Sequence, residues 1–157
     1  MGSRGDDFDG EQGATISIGD EKYDFDMTLG KGTNSTTYRY VSREGTDRIA
    51  IKAMPHVTAM HEIESHLLAS EAGGDNIVWQ LGVMRDRNRI YSITECGRSD
   101  LKGFATLLVK INPPEPVREA FARDLCIDIT KRLLDLKKAG LIDSDLKTRK
   151  LHHRRRR

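Results

Sequence analysis

The feature that most constrains this chain is a glycine-rich turn between two segments with the residue pattern of β-strands. The turn has the sequence Gly30-Lys31-Gly32-Thr33-Asn34-Ser35, and the next strand pattern contains Ala50-Ile51-Lys52. Such a turn lets backbone N–H groups approach a phosphate closely, and a lysine on a neighbouring strand supplies the counter-charge. The pattern predicts one half of a nucleotide site. The alternative is a surface hairpin beside an ordinary exposed lysine.

Further features follow Lys52 in a fixed order. A helix pattern with the sequence Met60-His61-Glu62-Ile63-Glu64 offers a carboxylate to the lysine. An alternating strand pattern, Ile90 to Glu95, then stops at Cys96-Gly97. A long helix pattern finally leads to Ser144-Asp145-Leu146-Lys147. This is the order in which a protein kinase carries its nucleotide-binding and catalytic parts.

The chain resembles one branch of that family, the dual-specificity monopolar spindle (TTK-type) protein kinases. Members of this branch also have serine at the third glycine position, which is Ser35 here. Their hinge has the sequence Glu-Cys-Gly followed by Asp-Leu, as in Glu95 to Gly97 and Asp100-Leu101. Their catalytic loop begins His-Ser-Asp-Leu-Lys, and Ser144 to Lys147 keeps all of it except the histidine. The resemblance spans Tyr23 to Leu151 and implies ATP-dependent phosphoryl transfer to Ser, Thr or Tyr hydroxyls.

The expected fold class is α+β, with a protein-kinase-like small lobe followed by the first helices of an incomplete large lobe. The small lobe is expected to be a five-stranded antiparallel sheet plus one helix, which contains Glu62 and ends at Gly73-Gly74. The predicted strands are Tyr23 to Leu29, Thr37 to Ser42, Arg48 to Met54, Asn76 to Met84 and Arg89 to Glu95.

Beyond the hinge the pattern becomes helical. A short helix is predicted at Leu101 to Val109, a break at Pro113-Pro114, and a long helix to about Lys138 that is capped by Gly140. One face of the long helix is apolar and is expected to be exposed; it consists of Val117, Phe121, Leu125, Ile129 and Leu133.

The predicted organisation has four parts. Residues 1–22 form a flexible leader, 23–97 the small lobe and hinge, 98–151 a partial large lobe ending in the catalytic loop, and 152–157 a basic tail. The tail is interpreted as a frayed end, with phosphate binding or a nuclear address as the alternatives. The Asp-Phe-Gly motif and the activation segment are expected to be missing.

The resemblance assigns the phosphate end of the ATP site. Lys52 would hold the α- and β-phosphates, and Glu62 would pair with it, with Glu64 left open as the partner. A solvated helix carboxylate is the alternative for either glutamate. The phosphate turn would contribute Gly30, Gly32 and Ser35.

The resemblance also assigns the adenine end. Glu95 and Cys96 would present backbone carbonyl and amide groups to the edge of the base. Thr94 would control access behind the adenine, where the family has a larger methionine, so a more open back pocket is expected. Leu29 and Thr37 would form the roof over the ring, with Thr37 in place of the family's valine.

The resemblance makes Asp145 the catalytic aspartate, which orients and deprotonates the substrate hydroxyl, and Lys147 the residue that steadies the γ-phosphate. Two departures oppose activity. Asp143 replaces a buttressing histidine, and Lys150 occupies the position of the magnesium-ligating asparagine. An ammonium has no lone pair to donate and repels the metal. Mg²⁺ is expected for the family, its ligands are missing here, and no metal-binding residue is assigned; negligible activity is predicted.

Three hypotheses therefore remain. The first is a TTK-like kinase domain that is inactive as this chain, the second is an ATP-binding or nucleotide-independent pseudokinase that docks other proteins, and the third is a product without a stable fold. The expected partners are ATP and a protein substrate or docking partner. By resemblance the role would be mitotic checkpoint signalling, at the nucleus or kinetochore or in the cytoplasm.

Composition bears on the other function classes. The chain has 157 residues, of which 32% are charged and 37% hydrophobic, as is typical of a globular protein. The net charge of +2 does not indicate nucleic-acid binding, and no apolar run approaches the ~20 residues that span a bilayer. Cys96 and Cys126 lack metal-ligand spacing and are expected to be reduced, which with the lack of a signal peptide predicts an intracellular protein.

Overall fold

The computed structural model describes residues 15–45, 47–71, 77–86 and 88–141, and it confirms the predicted α+β class. Its elements are β1 (Thr15–Ile18), β2 (Glu21–Lys31), β3 (Thr36–Ser42), β4 (Arg48–Pro55), α1 (His56–Glu71), β5 (Gln80–Arg85), β6 (Arg89–Glu95), α2 (Leu101–Ile111) and α3 (Glu115–Lys138). The chain divides into two compact units. The first runs up to Glu64 and includes Trp79–Cys96; the second comprises Ser65–Val78 and the chain from Gly97 onward.

The first unit is built on one antiparallel sheet with the strand order β1-β2-β3-β4-β6-β5. Helix α1 is inserted between β4 and β5, as expected for the predicted small lobe. The sheet has six strands rather than the predicted five, because residues 15–22, assigned to a leader from the sequence, form β1 and the start of β2.

The additional strand forms because Ile16 and Ile18 alternate with polar residues and are followed by a two-residue turn. Gly19 has a φ of 60°, which glycine adopts without strain, and Gly19-Asp20 joins Ile18 to its partner Glu21. The side chain of Ile16 is buried in the main apolar cluster. Burial of that side chain stabilises a strand that is otherwise too short to persist.

Alternation along the central strands separates two faces of the sheet. One face carries the main apolar cluster, which consists of Ile16, Tyr23, Tyr40, Ile49, Ile51, Ala53, Tyr91 and Ile93. The residues between these point to the other face, where Met54 and Ile90 are buried against Ala59 of α1, with Ile63 packed beside them. We call this second face the helix face. It also carries Lys52, which alternates with Ile51 and Ala53.

The second unit contains α2 and α3. The Asp100 side chain caps α2 by accepting a hydrogen bond from the Gly103 N–H at 2.7 Å, and the rings of Phe104 and Phe121 lie 4.6 Å apart. Gly140, with a φ of 71°, follows α3, where the Leu141 N–H donates to the Leu136 carbonyl. The predicted apolar face of α3 is exposed at its two ends: Val117 is 51% and Leu133 is 39% exposed.

Several ends of strands and helices differ from the predicted ones, and others lie outside the described residues. The strand predicted from Asn76 is described from Gln80, and α2 extends to Ile111. The predicted helix stop at Gly73-Gly74 lies outside the described residues. Across the described ranges, no helix is long and apolar enough to cross a bilayer.

Candidate nucleotide site

The glycine-rich segment forms the end of the β2–β3 hairpin. The Gly32 N–H donates to the Ser35 carbonyl at 2.7 Å, which leaves Thr33 and Asn34 at the tip. Gly30 lies opposite Thr37, and the register is irregular between Thr28 and Gly30. Leu29 falls at that irregularity and is 44% exposed. The hairpin is thus closed by its own backbone.

Gly30 is not required by the local fold. Among the residues that the structure describes, the glycines whose φ is positive are Gly19, Gly45 and Gly140, so Gly30 has a backbone conformation that other residues adopt. A Cβ added to Gly30 would meet no atom within 4 Å, whereas one added to Gly32 would lie 3.2 Å from the Ser35 hydroxyl. Neither strain nor packing accounts for glycine at position 30. Close approach of the backbone to a ligand would account for it.

Lys52 lies in the same cross-strand row as Gly30. Gly30 is opposite Thr37, Thr37 is opposite Lys52, and Lys52 is opposite Ser92. Residues directly opposite one another on adjacent strands project from the same face of a sheet. The lysine, the Thr37 and Ser92 hydroxyls and the bare backbone at Gly30 therefore share the helix face.

Lys52 is held by Glu62. Its Nζ lies 2.6 Å from each Glu62 carboxylate oxygen, and the two side chains are 33% and 46% exposed. The fold sets this pair because Ala59 is buried against the sheet and Glu62 is three residues further along the same side of α1. Of the two glutamates considered from the sequence, Glu62 is the one that pairs with Lys52.

The residues predicted for the adenine lie further along the same strands. Glu95 is opposite Ile49, three residues before Lys52, which corresponds to about 10 Å along a strand. That separation matches the distance between the base and the first phosphates of a nucleotide. Thr94 is half-buried and lies opposite Ala50, so its side chain also projects from the helix face.

The backbone amide that Cys96 is predicted to offer to adenine is already engaged. The Cys96 N–H donates to the Arg48 carbonyl at 3.3 Å, and the Glu95 N–H donates to the Trp79 carbonyl at 3.1 Å. The Cys96 amide would have to leave Arg48 before it could donate to the base. Burial raises the pKa of the Cys96 thiol, so the thiol stays protonated at neutral pH.

A polar set that the sequence interpretation did not identify lies behind Thr94. Gln80 is opposite Thr94, and its Nε2 lies 3.4 Å from the hydroxyl oxygen of the buried Ser92. The Gln80 Oε1 atom is buried and has no hydrogen-bond partner. The alternating pattern of β5 and β6 in the sequence could have placed these residues on the helix face. It could not have shown that they pair, because their register depends on an irregularity between Gln80 and Gly82.

The predicted catalytic residues, Asp145 and Lys147, lie outside the described residues, as do Asp143 and Lys150. Among residues 15–141, outside the gaps given above, no group of three or more His, Cys, Asp or Glu side chains is placed to hold a metal ion. Near Lys52, the Glu62 carboxylate is paired with the lysine Nζ.

The chain was also compared with known proteins. No family model matches it, and no curated protein does so either.

Proposed function

We propose that the first unit binds ATP in the manner of the small lobe of a protein kinase. The observation that carries this proposal is the ion pair between Lys52 on β4 and Glu62 on α1, with Lys52 in the same cross-strand row as Gly30. In protein kinases a strand lysine pairs with a helix glutamate and contacts the nucleotide phosphates.

The ion pair supports this proposal better than it supports a structural role. Exposed salt bridges contribute only about 0 to 1 kcal/mol to stability, so this partly exposed pair is not needed to hold the helix, which packs through Met54, Ala59 and Ile90. The pair does fix the direction of a flexible side chain. A lysine held in place loses less conformational entropy when a phosphate binds.

Phosphoryl transfer is the less supported part of the family function. By the resemblance Asp145 would accept the proton of a Ser, Thr or Tyr hydroxyl and Lys147 would contact the γ-phosphate. Lys150 stands where a magnesium ligand is expected, and Asp143 where a histidine is expected. We therefore propose ATP binding without efficient transfer.

A second candidate is protein docking. Helix α2 exposes three large apolar side chains: Leu107 at 49%, Val109 at 80% and Ile111 at 63%. Such a surface is typical of a protein that binds other proteins. On this alternative the fold would serve as a nucleotide-independent pseudokinase.

The test is a thermal melt of the chain with and without ATP, in magnesium and in EDTA. ATP at about 100 times its Kd should stabilise the fold by about 2.7 kcal/mol. Lys52→Met should abolish the shift, and Lys22→Met, which removes an exposed lysine of β2, should keep it. Stabilisation in EDTA as well as in magnesium is expected, because Lys52 contacts the phosphates directly on this proposal.

Each result separates the candidates. A cooperative melt that ATP does not raise would overturn the nucleotide site and leave docking. A shift that survives in Lys52→Met would place ATP elsewhere on the chain. Transfer of radiolabelled phosphate to a generic protein substrate at a rate well above background would contradict the proposed lack of transfer.

A further inference from the structure

The buried Oε1 of Gln80 lacks the partner that a buried polar atom normally has. Its amide nitrogen has only the long 3.4 Å contact with the Ser92 hydroxyl, and the oxygen has none. An unsatisfied buried acceptor destabilises the folded chain. Such atoms are rare in folded proteins and call for an explanation, which a side-chain rearrangement on ligand binding can supply.

The position of Gln80 in the sheet indicates which ligand would cause this rearrangement. On the helix face, Gln80, Thr94 and Ala50 lie side by side on β5, β6 and β4, and Thr94 directly precedes Glu95. Side chains directly opposite one another on antiparallel strands have Cβ atoms about 4.5 to 5.5 Å apart. At that spacing, rotation about the Thr94 χ1 angle turns its hydroxyl toward or away from Gln80.

We propose that Gln80 is a positioning residue that makes the site select 6-aminopurine over 6-oxopurine nucleotides. This inference rests on the proposed ATP site. When the base binds, the Thr94 hydroxyl donates its proton to Gln80 Oε1, and its oxygen then faces the base as an acceptor. The exocyclic 6-amino group of adenine donates to that oxygen. A 6-oxo group would instead place the lone pairs of its oxygen against those of the Thr94 hydroxyl oxygen, and the two acceptors would repel each other.

On this proposal, the preference for a 6-amino group depends on the hydrogen-bond acceptor at position 80 and not on the size of that side chain. Gln80→Leu removes both amide atoms and frees the Thr94 hydroxyl to rotate and donate to a 6-oxo group. Gln80→Glu keeps an acceptor oxygen toward Thr94. The hydroxyl itself is removed by Thr94→Val, which preserves the shape of the side chain.

The experiment measures the dissociation constants of ATP and of ITP, its 6-oxo counterpart, by calorimetry on the full chain. The wild-type chain should prefer ATP by about tenfold, as expected for one hydrogen bond gained or lost. Gln80→Leu and Thr94→Val should each bring the ratio close to one, and the double variant should lose no more than either single variant, because the two side chains act in series. Gln80→Glu should keep the preference.

The matched control is Thr28→Val, which makes the same substitution at an exposed position of β2 opposite Tyr38. It should leave the ratio unchanged. Tight ATP binding with an unaltered ratio in Gln80→Leu and Thr94→Val would overturn this inference and leave the proposed ATP site standing. Absence of binding by either nucleotide to the wild-type chain would overturn both. If Gln80→Leu does not fold, Thr94→Val alone decides.

Discussion

A substitution at Gly30 should affect ATP binding without affecting the stability of the fold. Because its φ is not positive and a Cβ would meet nothing, we expect Gly30→Ala to change the free energy of unfolding by less than about 0.5 kcal/mol. The added methyl group would occupy the space beside Thr37 and weaken ATP binding. Urea unfolding and the Kd for ATP measure the two effects separately.

Gly45→Ala is the matched control for that substitution. Gly45 has a φ of 74°, where alanine is strained, so this variant should lose about 1 kcal/mol of stability. It should bind ATP like the wild-type chain once folded. A loss of stability in Gly30→Ala equal to that in Gly45→Ala would show that Gly30 serves the hairpin rather than a ligand.

The two cysteines should differ in reactivity. Burial raises the pKa of Cys96 and limits access to its sulfur, whereas Cys126 is exposed on α3. Because the thiolate is the reactive form, we expect iodoacetamide to modify Cys126 first at pH 7. The rate at Cys96 should still be rising with pH above the ordinary thiol value of 9.0. Mass spectrometry of peptides measures both rates, and equal rates at pH 7 would contradict the burial of Cys96.

At the scale of elements, the position of α1 depends on a small apolar contact. Met54 is 1% exposed and packs with Ala59 and Ile90, so Met54→Ala should cost about 2 to 5 kcal/mol. Met60→Ala removes the same atoms from a 65% exposed position of α1 and should cost less than about 0.5 kcal/mol. Denaturant unfolding measures both values. Similar costs would mean that α1 does not pack through this contact.

Loss of the contact between Met54, Ala59 and Ile90 should also weaken ATP binding. With α1 less firmly held, Glu62 no longer fixes Lys52, so ATP affinity should fall in Met54→Ala even under conditions where the variant is fully folded. It should not fall in Met60→Ala. This links the apolar contact to the proposed site through the helix that joins them.

The elements also show how far the sequence alone could lead. The α+β class, five of the strands, the helix after β4 and both later helices follow from local periodicity and turn residues. β1 was missed although Ile16 and Ile18 alternate and Gly19-Asp20 is a turn signal, because the polar, glycine-rich segment before it suggested a leader. The orphaned oxygen of Gln80 and the engaged amide of Cys96 depend on register and long-range pairing, which local patterns do not encode.

For the whole molecule, the buried tyrosines of the sheet couple stability to alkaline pH. Burial, with a 2.7 Å hydrogen bond to Asp86, raises the pKa of Tyr91 well above its usual range, and a hydrogen bond to Glu21 raises the pKa of Tyr23 to about 12. A raised pKa means that the unfolded chain loses its phenol protons first. The stabilisation is complete below pH 10 and declines as the pH rises toward 12.

We therefore expect the free energy of unfolding to fall above pH 10 by as much as about 1.4 kcal/mol per pH unit for each such tyrosine. Tyr91→Phe removes one of these protons from the folded core while keeping the ring, so it should lower stability at pH 7 by about 1 kcal/mol and flatten the alkaline decline. Urea midpoints at half-unit steps from pH 7 to pH 12 measure both effects. A decline as steep in Tyr91→Phe as in the wild-type chain would mean that the Tyr91 phenol ionises as readily in the folded chain as in the unfolded one, and that its burial against Asp86 does not contribute to stability.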